Sequence, residues 1–135
     1  MNGRPVDATR TFAMRCIVAG ALLMLIAVIL GAFGAHALRG QLPATRLASF
    51  QTGVAYHQLH ALGLVLVGIV ACVTPRSRWI VPAAVLFGLG ILLFAGAIYA
   101  MTFGAPRWLG MVAPLGGVSF MLGWACLAMH AWRSD

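Results

Sequence analysis

Single arginines divide this chain into long blocks that carry no charge. From Cys16 to Leu38, Leu47 to Pro75, Trp79 to Pro106 and Trp108 to Trp132 there is no Asp, Glu, Lys or Arg. Each block exceeds the about 20 residues of helix needed to cross a hydrocarbon core. The pattern therefore predicts a short basic tail over residues 1–15 and one domain over 16–132, with spanning helices near 16–37, 54–73, 79–103 and 108–129. The fold class expected is all-α: an integral membrane four-helix bundle running up-down-up-down with short loops.

Breakers mark the connections. "LRGQLPATRLASFQTG" is the only sizeable one, and Leu47, Phe50 and Val54 fall at helical spacing after Pro43, which predicts a brief interfacial helix feeding span two. "TPRSR" closes span two with Pro75, and "GAPR" separates spans three and four. Pro82 and Pro114 stand early in their spans, where a missing N–H is tolerated.

Composition sharpens this picture. The chain is 62% hydrophobic and 8% charged, with mean hydropathy +0.98, which excludes a water-soluble fold. Its net charge of +7 does not imply nucleic-acid binding, because the arginines are scattered singly and never form a stripe. They report topology instead. Arg4, Arg10, Arg15, Arg76, Arg78 and Arg133 share one side and Arg39, Arg46 and Arg107 the other, which predicts that both termini are cytoplasmic. Ala35-His36-Ala37 has the form of a signal cleavage site, but the apolar run before it is longer than a signal core, so span one is expected to be retained.

Small residues predict where helices touch: Ala27, Gly31 and Ala35 in span one, Ser119 and Gly123 in span four. Packing within the bundle is the first use of such stripes, contact with a membrane-protein partner or a second copy the other. Cys16, Cys72 and Cys126 show no C-x-x-C spacing and read as small packing residues. Trp79, Trp108 and Trp132 fit interfacial anchoring, Trp124 the core, and His130 the interface.

Antiparallel spans bring a set of polar residues to one leaflet. His36 ends span one; Gln51, Thr52, Tyr56, His57 and His60 open span two; Tyr99 and Thr102 close span three; Pro114, Gly116, Gly117 and Ser119 open span four. An unpaired imidazole or phenol is costly in lipid, so these groups are expected to face inward and pair. His36 is expected to meet Tyr99 or a carbonyl released by Pro114, and His60 to meet Gln51 or Tyr56.

"GAFGAH" (31–36), "FQTGVAYHQLH" (50–60), "LFAGAIY" (93–99) and "APLGGVSFMLGW" (113–124) resemble, in order, the signatures of the YgdD-like (YwdK-like) family of small uncharacterised inner-membrane proteins. The resemblance implies a four-helix protein of the bacterial inner membrane, with no established activity or cofactor. It carries over His36, Gln51, Thr52, Tyr56, His60, Gly96, Tyr99, Pro114, Gly116 and Gly117. His57 falls where the family also accepts glutamine, and Ala95 and Ala97 stand where relatives have serines.

Three functions remain in view. His36, His57 and His60 could ligate a metal, haem iron or support binding of a small hydrophobic ligand, since neutral imidazole is a common ligand. Intramembrane histidines could serve a small transporter or proton pathway. The third, which is favoured, is a scaffold or accessory protein whose polar layer holds the helices in register. No paired carboxylates, phosphate loop or nucleophile beside a base is present, so an enzyme is not expected.

Overall fold

In the computed structural model, which describes residues 5–74 and 77–133, four helices are long and apolar enough to cross a membrane. We number them α1 (Pro5–His36), α2 (Ala44–Val73), α3 (Ile80–Thr102) and α4 (Ala113–Trp132), the last preceded by a 3₁₀ turn over Arg107–Met111. Among the described residues there is no strand. Arg4, Pro75 and Arg76 lie outside the described residues.

α1 begins at Pro5, well before Cys16, so Arg10 and Arg15 ride on a helix rather than on a loose tail. The cause is packing, because Ala13 is fully buried and Phe12 joins the core beside it. Likewise the expected interfacial helix and span two form one continuous helix, α2, whose 30 residues span about 45 Å. That exceeds the about 30 Å hydrocarbon core, so α2 must project into the headgroup layer.

α1 packs chiefly on α2, and α3 on α4. Its buried stripe is Ala13, Gly20, Ala27 and Gly34, a seven-residue repeat. The spacing of four predicted from Ala27 fails after one step: Gly31 is half-buried and Ala35 exposed. A seven-residue step drifts only about 20° around a helix, so it follows a slightly supercoiled seam where a four-residue step leaves it. The approach is close. A Cβ on Gly20 would stand 2.7 Å from the Ala61 carbonyl oxygen, and one on Gly68 would stand 2.7 Å from that of Ala13. The opposite face of α1, including Leu22, Ile26, Ile29 and Phe33, is open to lipid.

The main core lies among α2, α3 and α4 around Val67, Ile80, Phe87 and Phe120. Ser119 and Gly123 are buried there as predicted, Gly123 against the Phe87 ring. In the middle of α3 the residues Ile91–Ala95 form a π turn, closed by the Gly96 N–H on the Ile91 carbonyl. The wider turn advances Phe94 onto α4, where Gly116 has no side chain to obstruct its backbone.

Trp108 and Trp132 are exposed at opposite ends of the last span, as interfacial anchors should be. Trp79 lies beneath the Arg78 and Arg133 guanidinium groups, 5.0 and 6.0 Å from its ring centre. Trp124 differs from expectation. It leans on Phe87, with ring centres 4.9 Å apart, but stays partly exposed, because the seam between α2 and α4 is already filled by Phe120 and His60.

Candidate functional site: a divided polar layer

α2 supplies the centre of the layer. On its buried side, His57 and His60 are 3% and 2% exposed. They do not share a pocket. His57 turns toward α3, where its Nδ1 lies 3.2 Å from the Tyr99 hydroxyl. Gly53, one turn earlier, opens the path for Tyr99, whose ring lies against it.

His60 enters a set of rings instead. Its Nδ1–H donates to the Tyr56 carbonyl at 2.7 Å; a carbonyl only accepts, so this bond fixes the proton on Nδ1. The imidazole stacks on Phe120 at 3.4 Å between centres and approaches Phe87 at 5.7 Å. The Tyr56 ring covers Phe94 at 4.8 Å and reaches out to lipid, 44% exposed.

Of the residues predicted to converge, the structure joins His57 with Tyr99, and Tyr56 with His60, with Gly116 admitting Phe94 to the second group. The remainder stay apart. His36 is exposed at the end of α1 and does not meet Tyr99, whose partner is His57. It follows Gly34 by two residues, about 200° around the helix and away from the α1–α2 seam. Gln51 and Thr52 are exposed, the Thr52 hydroxyl donating to the Ala48 carbonyl at 3.0 Å. Pro114 is exposed in the first turn of α4, and Gly117 has open space before it.

His36, His57 and His60 therefore do not assemble as metal ligands. Among the described residues no group of three His, Cys, Asp or Glu side chains could hold a metal ion. His57 Nε2 is buried with no hydrogen-bond partner, which leaves one polar atom of the layer unpaired. The cysteines are free thiols, Cys16 buried, Cys126 half-buried and Cys72 exposed.

A second polar centre lies at the end of the bundle where the termini stand. His130, predicted as an interface residue, is fully buried. Its Nε2 is 2.8 Å from Thr74 Oγ1 and its Nδ1 2.6 Å from Ser77 Oγ. The Thr74 hydroxyl donates to the Val70 carbonyl at 2.7 Å, so in a neutral imidazole Nε2–H donates to Thr74 and Nδ1 accepts from Ser77. The Trp79 backbone N–H donates in turn to Ser77 Oγ at 3.4 Å. One imidazole thus ties α4 to both ends of the α2–α3 turn. The signal was present in the hydroxyls of Thr74 and Ser77, which flank Pro75 and Arg76 opposite the last turn of span four.

Four apolar helices, with two histidines buried midway along α2 and a third beside its C-terminal end, define a small polytopic membrane protein. The family described as a protein of unknown function, DUF423, matches residues 30–117, and the chain belongs to that family. The UPF0382 membrane protein YwdK of Bacillus subtilis is 41% identical over 85% of this chain and 94% of its own length. The UPF0382 inner membrane protein YgdD of Escherichia coli is 36% identical over 87% of this chain and 88% of its own. No solved structure matches. The family carries no described activity.

Proposed function

We propose that this chain is a small accessory or scaffold protein of the bacterial inner membrane, with both termini cytoplasmic, whose buried imidazoles set the register of its helices. The observation that carries this reading is that His130 and His57 each join separate spans through hydrogen bonds, while His60 is enclosed by rings from three helices. Such bonds contribute about 0.6 kcal/mol each on average in a membrane, so a short chain needs several. The name of the Escherichia coli relative supports the inner membrane, and the arginine distribution supports the orientation.

The discriminating experiment compares His60→Ala with the parent protein purified from native membranes. The expected outcome is a lower unfolding temperature with unchanged metal content, absorption spectrum and co-purifying small molecules. Unchanged stability with loss of a bound species would overturn the reading in favour of ligand binding.

A further inference from the structure

At the end of the bundle away from the termini, the first turns of α2, the end of α3 and the loop after it enclose a groove of about 600 Å³. Arg46, Ser49 and Thr52 line one wall, and Thr102 and Arg107 line the other. Two arginines thus line one space. The chain contains only two acidic residues, Asp7 and Asp135; Asp7 falls in the first turn of α1, and no Asp or Glu stands anywhere between residues 8 and 134. α1 and α2 run antiparallel, Ala13 beside Gly68 and Gly34 beside Phe50, so about 45 Å of helix separates Asp7 from Arg46. Every residue lining the groove belongs to this carboxylate-free stretch. The groove itself supplies no counter-charge.

The hydroxyls narrow its chemistry. Ser49 donates to the Thr45 carbonyl, Thr52 to that of Ala48 and Thr102 to that of Ile98, at 3.1, 3.0 and 2.8 Å. With their protons committed, these oxygens present lone pairs to the groove. The site therefore offers cationic donors for an anion beside neutral acceptors for O–H groups. Guanidinium groups match phosphate oxygens in pairs, and basic recesses between spanning helices suit lipid headgroups. Arg46 in the first turn of α2 and Arg107 at the start of the 3₁₀ turn before α4 stand at the ends of spanning helices, where a bilayer presents its headgroups.

We propose that this groove binds the phosphoglycerol headgroup of an anionic phospholipid in the leaflet facing away from the termini. The phosphodiester lies between Arg46 and Arg107, and the glycerol hydroxyls donate to Ser49 and Thr52. An ethanolamine headgroup fits less well, because it brings an ammonium toward two guanidinium groups.

Retention of lipid by the detergent-purified full chain, read by native mass spectrometry after addition of phosphatidylglycerol, phosphatidylethanolamine or phosphatidylcholine, tests this. Phosphatidylglycerol is expected to be retained preferentially, and the double variant Arg46→Gln/Arg107→Gln to weaken that retention by about thirtyfold, since each charge near the surface is worth roughly a factor of five. Arg39→Gln, on the same side but outside the groove, is expected to change nothing, and all variants to keep the parent unfolding temperature. Equal retention by the double variant, or an equal loss in Arg39→Gln, would overturn the proposal. Displacement of the lipid by millimolar inorganic phosphate or glycerol phosphate would reassign the groove to a soluble phosphate and equally overturn the lipid assignment.

Discussion

The Nδ1 atom of His57 and the hydroxyl of Tyr99 meet at 3.2 Å across the contact between α2 and α3, at the leaflet depth where both side chains would otherwise stand unpaired. Only one edge of the imidazole is used. Nε2 is buried without a partner, so the pair gives less than a doubly bonded histidine would.

Tyr99→Phe is expected to cost between about 0.6 and 1.7 kcal/mol, the average and the maximum for single interhelical bonds in a membrane, with His57→Leu similar or smaller because it also removes the unpaired Nε2. His57→Gln should sit nearest the parent, since an amide can reach the same hydroxyl. Unfolding temperatures in one detergent measure all three; a Tyr99→Phe protein as stable as the parent would show the bond to be idle.

His130 should matter more than the histidines of the other leaflet. His130→Ala removes the hydrogen bonds to Thr74 and Ser77 and opens a cavity between α4 and the α2–α3 turn, for an expected loss of about 2–3 kcal/mol. His36→Ala, at an exposed position, is expected to leave the unfolding temperature unchanged. The comparison is made by thermal unfolding, and a reversed order would contradict the burial described.

Close helix contacts predict two glycine effects. Gly116→Ala places a methyl group against the Phe94 backbone and Gly20→Leu drives a side chain into the Ala61 carbonyl. Overpacking of this kind costs about 1–3 kcal/mol. Gly117→Ala, facing open space, serves as the control and is expected to be neutral. Protease resistance in membranes and unfolding in detergent should rank the three alike.

Orientation is accessible to thiol labelling. In a background lacking Cys16, Cys72 and Cys126, Arg78→Cys and Thr45→Cys put exposed thiols at opposite ends of α2. With cytoplasmic termini, a membrane-impermeant maleimide added to spheroplasts labels the Thr45→Cys protein and spares the Arg78→Cys protein. The opposite pattern means the inverted topology.

The four crossings were legible because a charge-free block longer than about 20 residues has few other uses. Pairing was harder to read. Periodicity alone does not tell a seven-residue seam from a four-residue ridge, so Ala27 was placed correctly and Ala35 was not. The polar layer was half legible: His57, His60 and Tyr99 are polar atoms at a common depth, but depth says nothing of rotation about the helix axis, which sends His36 outward. His130 was hidden for a different reason. Its partners Thr74 and Ser77 lie in a turn, and a turn folded back under a helix end leaves no repeating pattern in the chain. The groove between Arg46 and Arg107 was likewise split between two distant segments.

Because α1 rests chiefly on α2, and α3 on α4, each half of the polypeptide is synthesised together with its own principal neighbour. The first hairpin can close in the bilayer while the second is still on the ribosome. What then remains is the docking of two finished pairs, with the imidazoles of α2 meeting Tyr99 and Phe120 only at that late step. Substitutions at His57 and His60 should therefore spare membrane insertion and the early hairpin, and act on the final union of the halves.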